Sequence, residues 1–575
     1  MGLEPTTSAV TGRRSNQLSY NAKVWWARLG LNQRPPACEA DALPLSYAPF
    51  REPTVPGAHA VYRVGSGPSL RVSESVRGLL VAFALLYLLA TASAGPYAAE
   101  PAADSFVRAH RAVPTHSPRA QAAFDDGLTL LYAFNPEQAR GSFETAAAAD
   151  PSLAMAWWGV AMSYGMNINT AYDAAQARHG HAAIAKARAL ESGAVPAERT
   201  LIAAATQRFS YDRPSDGDRS AQAYRDAMAQ AATALPDDDD VQTLAAEAEM
   251  DVHPWSYFNA DGTPTHGTQE LIARLERVLT RNPGHIGANH FLIHALEESP
   301  RPQEALGAAN RLRDDSFEPA AEHLAHMPAH AFMRVGDYEA AGAANARALD
   351  LYRVYLAGDP AGHADYFDHD CAFGVDAFMM SGDYERARAI AAGCARGGSV
   401  GMLPIVQLRF RRWEALAVDG ASTDLSAGML AAHGGRLDQA RKHLANLRKS
   451  DGDAAGIQAD LIEARIAQAA GDHEGEIASL LRAVELEDRS GYSEPPAFWY
   501  PVRETLGAAY FRAGRYAEAE RTFRADLVRN PKNPRSLFGL AQTLVREGRF
   551  DDARDVRARF IAAWKTPELP DINEM

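Results

Sequence analysis

Cysteine is scarce in this chain, with three in 575 residues, and no C-x-x-C or C-x-x-C-H occurs. Thioredoxin-like redox chemistry and c-type haem attachment are left without their usual signatures. Basic charge is also in deficit: 58 Lys and Arg stand against 72 Asp and Glu, for a formal net charge of −14. No basic run or stripe is available to replace phosphate counterions, which excludes a nucleic-acid binder. Neither a nucleotide-binding glycine motif nor a G-x-S-x-G elbow is present. No H-E-x-x-H segment implies a zinc-protease helix. The apolar stretch at residues 79–89 falls short of the ~20 residues that a bilayer-spanning helix needs.

Methionine is absent between Met1 and Met155. Residues 1–71 are rich in Arg, Asn, Pro and Trp and show no amphipathic period. We read them as translated non-coding sequence preceding a non-ATG start near Val72 or Val76, with a disordered extension as the alternative. Residues 72–94 follow the pattern of a signal peptide. Arg71 and Arg77 supply the basic region, residues 79–89 the apolar region, and Ala92-Ser93-Ala94 the cleavage site. The mature protein is expected to begin near Gly95, to work in the periplasm or outside a bacterial cell, and to keep no membrane span. Residues 1–94 carry nine basic and five acidic side chains, net +4, which leaves −18 for the remainder. Residues 95–117 read as a linker and 566–575 as a C-terminal tail.

What the chain has instead is a period. Leu506, Gly507, Tyr510, Gly514, Tyr516, Ala519, Phe523 and Pro531 fit a 34-residue template, and Leu540, Gly548, Phe550 and Ala553 repeat it. Ala139, Phe143, Ala146 and Pro151, followed by Trp157 and Tyr164, fit it near the start. Further units are phased by Gly336, Gly382, Gly435 and Gly471. The pattern resembles the tetratricopeptide repeat, in which small residues sit where two antiparallel helices cross and aromatics fill the seam to the next pair. Residues 118–565 are thus expected to form an all-α, right-handed superhelix of nine or ten helix pairs, interrupted by loops at 253–267 and 357–367. Phe134-Asn135, Trp157-Trp158-Gly159, the segment Gly165-Met166-Asn167-Ile168-Asn169 and a His-x2-His-Met-Pro-x-His run are similar to those of secreted bacterial tetratricopeptide proteins of unassigned function. That resemblance implies a family and a protein or peptide partner in the concave groove. It implies no reaction.

A scaffold has no need for clustered imidazoles, yet this one has them. His323, His326 and His330 fall at positions 2, 5 and 9 of the repeat beginning at Glu322, on one helix face. His290 and His294 take positions 5 and 9 of the preceding repeat, and His369 and Asp376 positions 2 and 9 of the following one. The expected result is six imidazoles and one carboxylate converging on the concave surface. Imidazole suits zinc, copper and iron, and six histidines exceed the roughly four ligands of one zinc. Two ions, or one ion with outer histidines, are therefore expected. Three readings stay open: a metal-binding scaffold, a metal-dependent hydrolase or oxidase using the same histidines, and a plain peptide-binding adaptor.

Pro328 interrupts the His323–His330 helix and is expected either to splay His326 from His330 or to leave a tolerated kink. Glu297 and Glu298 are secondary candidates as ligands or a base. Asn167 and Asn169 are candidates to line the groove or cap a turn, and His363 to act in a lid. Asp237 to Asp240 reads as a helix cap. Cys371 and Cys394 occupy neighbouring positions in one hairpin, where a disulfide or two buried thiols are both open.

Overall fold

Aromatic wedges set the geometry of the array. Phe143 lies against Gly127 of the helix before it and Gly159 of the helix after it, where added Cβ atoms would stand 2.8 and 2.3 Å from the ring. Phe523 repeats the arrangement against Gly507 and Gly539, at 2.6 and 2.2 Å. Both rings are fully buried. The sixteen-residue offset between glycine and aromatic is the seam that the repeat pattern encodes.

The computed structural model describes residues 106–575 apart from 212, 214, 360–365, 397–400 and 497. The extension and signal peptide read from residues 1–94 lie outside the described residues. Helices pair in chain order: α1 (Pro118–Tyr132) with α2 (Pro136–Ala149), α3 (Ala154–Met162) with α4 (Ala174–Ala189), and α5 (Pro196–Arg208) with α6 (Gly217–Ala234). Next come α7 (Asp239–Met250) with α8 (Thr268–Arg281) and α9 (Ile286–Glu297) with α10 (Leu306–Asp314). The broken helix α11 (Glu322–His326) and α12 (Pro328–Arg334) pairs with α13 (Tyr338–Gly358), and α14 (Phe367–Met380) with α15 (Tyr384–Arg396). Then follow α16 (Met402–Arg409) with α17 (Trp413–Asp419) and α18 (Asp424–His433) with α19 (Leu437–Leu447). The last pairs are α20 (Asp453–Ala469) with α21 (His473–Arg489), α22 (Val502–Arg512) with α23 (Tyr516–Arg529), and α24 (Pro534–Arg546) with α25 (Phe550–Ala563). Among the described residues the only β pairing is two isolated bridges. No described helix is long and apolar enough to cross a membrane.

Among the described residues twelve hairpins stand where nine or ten were expected. The extra ones are irregular: α16 and α17 are short, and the turn between α3 and α4 is long, so neither keeps the 34-residue spacing. Residues 251–267 connect α7 to α8. The second insertion starts only after α13 ends at Gly358, and residues 360–365, including His363, lie outside the described residues.

The described part of the linker, residues 106–117, is bound to the array. Val107 N–H donates to Ser316 O at 2.8 Å, and Arg111 pairs with Asp238 at 2.8 Å and Asp240 at 3.0 Å. The tail is docked too. Ile572 and Met575 are buried, and Arg512 and Arg411 donate to the carbonyls of Ile572 (2.8 Å) and Met575 (3.2 Å). Burying these apolar side chains and satisfying their carbonyls with guanidinium groups holds what polarity alone marks as loose. Cys371 of α14 and Cys394 of α15 form a disulfide with Cα atoms 6.1 Å apart.

Candidate metal centre

Three consecutive first helices carry the six histidines. Every residue of α9 is buried, and α14 is buried from His369 to Met380. Gly287 lets α9 lie against α1, since a Cβ there would stand 2.5 Å from the Tyr132 ring. That approach places the Tyr132 carbonyl 2.6 Å from His290 Nδ1, which donates to it. His294 Nδ1 donates to Glu297 Oε1 at 3.2 Å. The Nε2 atoms of both rings are buried with no hydrogen-bond partner, as are both nitrogens of His323. The ligand atoms of His290, His294 and His323 all lie within 4.8 Å of one another.

The second triad is tighter. His326 Nε2 lies 2.9 Å from His330 Nε2 and 3.2 Å from His369 Nε2. Asn345 Nδ2 donates to Ala341 O at 2.9 Å, which turns its Oδ1 toward His326 Nδ1 at 2.7 Å. Asp370 Oδ1 stands 3.0 Å from the same nitrogen. His330 Nδ1 faces Glu297 Oε2 at 2.7 Å and Glu494 Oε2 at 2.8 Å. An outer acceptor on Nδ1 fixes the ring and turns the Nε2 lone pair inward, which is how metal-binding histidines are held. Nitrogens bound tetrahedrally to one zinc at 2.0–2.1 Å would stand about 3.3 Å apart. The observed separations are close to that. Glu297 joins the two triads, with one oxygen on His294 and the other on His330.

The concave surface expected for these residues is covered. The six histidines are 0–7% exposed. Phe134, in the turn between α1 and α2, packs its ring 4.6 Å from His290, 6.0 Å from His294 and 5.8 Å from His323. Trp255 from the 251–267 loop meets His294 at 5.2 Å, and Tyr366 stacks on His323 at 4.1 Å. Glu494 arrives from the connection between α21 and α22. Pro328 does break the helix, and His330 N–H then bonds Met327 O at 3.2 Å in a tightened turn. That turn brings His326 and His330 together, so the splaying expected from the sequence does not occur.

Asp376 is not brought into either triad; it lines a neighbouring cavity with Glu298 and Glu494. Asn167 makes a turn, accepting from Asn169 N and Thr170 N at 2.8 Å, while Asn169 reaches the Tyr366 hydroxyl at 3.2 Å. Asp238 caps α7, as expected. Sequence reasoning missed Phe134 as a cover and Asn345, Asp370 and Glu494 as outer partners. A break in the period at Ser-Gly-Tyr-Ser-Glu-Pro-Pro, after α21, was the available clue to Glu494.

Burial pushes the imidazoles of His290, His323 and His326 well below their usual range, and neighbouring imidazoles push the same way. His369 falls to about 3, chiefly by burial. His330 differs: burial opposes its charge, but Glu297 and Glu494 raise it to about 10. Glu297 is pushed up by burial and held at about 2 by His330 and His294. His290, His323, His326 and His369 are thereby kept neutral, with lone pairs available, while His330 must give up its Nε2 proton before it can join them as a ligand.

Residues 510–559 match the tetratricopeptide repeat family model. That segment carries a tetratricopeptide repeat. Solved structures with similarity include yeast Tom70, at 11% identity over 78% of this chain and 92% of that one, with a TM-score of 0.25. The P58(IPK) TPR domain is 12% identical over 75% and 98%, with a TM-score of 0.20. The APC/C hetero-tetramer Cut9-Hcn1 is 13% identical over 78% and 94%, with a TM-score of 0.27. Superpositions at that level carry nothing about function. No curated protein matches the chain.

Proposed function

We propose that this protein is an exported protein-interaction scaffold that holds a transition metal at His326, His330 and His369, with His290, His294 and His323 as a second centre. The observation that carries this reading is the meeting of three Nε2 atoms, two of them 2.9 and 3.2 Å from the third. One imidazole lone pair accepts one good hydrogen bond, so two rings aimed at the Nε2 of a third suit a shared ion better than pairwise bonding. With six imidazoles and no thiolate in the set, zinc, copper or iron is the expected ion. The disulfide between α14 and α15 supports an oxidising compartment.

One observation favours a second reading. His330, flanked by Glu297 and Glu494, has the charge environment of an imidazolium that donates through Nε2 to His326. The two triads would then form a proton-sharing network that binds no ion. Elemental analysis of protein purified without a His-tag, before and after reconstitution with zinc, copper and iron, separates the two. At least one tightly held ion per chain is the expected result. No retained ion, with a melting temperature indifferent to chelator, would overturn the metal reading.

A further inference from the structure

A cavity of about 300 Å³ lies beside the histidine centre, between the start of α13, the end of α14 and the 490–501 connection. Its size is at the lower end of small-molecule sites. None of the six histidines lines it. Asp376 and Tyr338 do, and they are 2% and 4% exposed. Neither oxygen of Asp376 has a hydrogen-bond partner, nor does the Tyr338 hydroxyl. Buried polar groups are almost always paired, and an unpaired carboxylate is among the costliest groups to bury. Two such groups facing one cavity mark a place where a ligand supplies the partner.

The sign of that ligand follows from the walls. Four carboxyl groups line the cavity, on Asp376, Glu298, Glu487 and Glu494, against the guanidinium groups of Arg334 and Arg529. Arg529 is paired outside the cavity with Asp488 at 2.6 Å, whereas Arg334 donates to Ser299 O at 3.1 Å and stacks on Tyr492 at 5.1 Å, so one guanidinium without a carboxylate partner of its own faces four carboxyl groups. Arg409, whose charge reaches Asp376, is paired with Glu504. Glu494 is held by His330. Burial pushes Glu487 up to about 7, so a positive charge entering here is met by a carboxyl ready to ionise. Tyr492, Phe498 and Tyr500 add aromatic walls suited to a cation on an apolar body. Asp376 belongs to none of the residue groups that converge closely enough to hold a metal ion among the described residues.

We propose that this cavity binds a small organic cation, a primary ammonium on an apolar body, and that Asp376 accepts its charge. The site stands whether or not the histidines hold a metal. Calorimetry and thermal shift on the intact protein test it with phenethylamine against hydrocinnamate, which places a carboxylate where the amine has its ammonium. Phenethylamine is expected to bind and raise the melting temperature, hydrocinnamate to do neither, and Asp376→Asn to weaken amine binding by about tenfold or more. Equal binding of the two probes, no binding of the amine, or full amine affinity in Asp376→Asn would overturn the proposal. If Asp376→Asn does not fold, the two probes on the unaltered protein still decide it.

Discussion

Around Glu504 the fold buries charge and pairs it; around His326 it buries imidazoles and leaves inner nitrogens facing one another. Glu504 Oε1 takes Arg409 and also Arg535 Nε at 2.8 Å, while Oε2 takes Asn533 at 3.2 Å. Asp526 accepts from Asn530 at 2.9 Å, Asn533 at 2.7 Å and Ser536 at 2.5 Å. All four carboxylate oxygens are occupied. Both regions are built on first helices of paired hairpins, Glu504 on α22 and His326 on α11, so the hairpin architecture alone does not explain the difference. A closed polar network specifies packing, whereas an open one marks a task.

The largest effect is expected where the network is closed. Glu504→Ala strands two buried guanidinium groups and is expected to cost about 3–5 kcal/mol in urea denaturation; a loss near zero would dissolve the comparison. In the open region His326→Ala is expected to cost about 1–3 kcal/mol, with the helical circular dichroism retained. Its larger effect falls on metal affinity, a drop of more than about 100-fold by competition with a chelator, since even outer-partner changes cost 10–100-fold. Collapse of the fold on that change would move the histidines into the structural class.

Asp240 gives a paired control at a third, half-buried place. Burial raises its carboxyl, but His285, Arg111 and Tyr132 outweigh that and hold it at about 2. A depressed carboxylate stabilises the fold above its unfolded value near 3.8 and stops doing so as pH falls toward 2. About 2 kcal/mol is expected to vanish across that window. Asp240→Asn is expected to flatten that limb of the stability profile; an unchanged limb would refute the assignment. Least of all is expected from the exposed pair Asp438 and Arg441, at 2.8 Å. Asp438→Ala should leave the urea midpoint where it was.

The repeat was legible in the sequence because its rule is local: a glycine, an aromatic sixteen residues on, and a second glycine sixteen beyond. The three histidine helices were legible for the same reason, through spacings of three and four residues on a phased helix. What covers them was not. Phe134 and Glu494 lie outside the histidine helices, and no period links a turn residue near one end of the array to a connection near the other. Asp376 kept the register of a ligand, yet the cavity beside α14, not its helix position, decides what it faces. The docked strap and tail were invisible because their anchors, Arg111 and Met575, look like surface residues in a polar segment.

Glu494 follows His330 by 164 residues, and Phe134 precedes all six histidines. A chain emerging from synthesis thus exposes every imidazole before the carboxylate that closes the centre exists. In the metal reading proposed above, an ion captured at that stage would be held by an unfinished site and would leave freely. Once the late connection folds over, no ring has more than a trace of surface, and entry or exit requires the array to open locally. For the proposed metal centre, occupancy would then be set by history as much as by affinity: an ion at hand when the last hairpins closed would be the one kept.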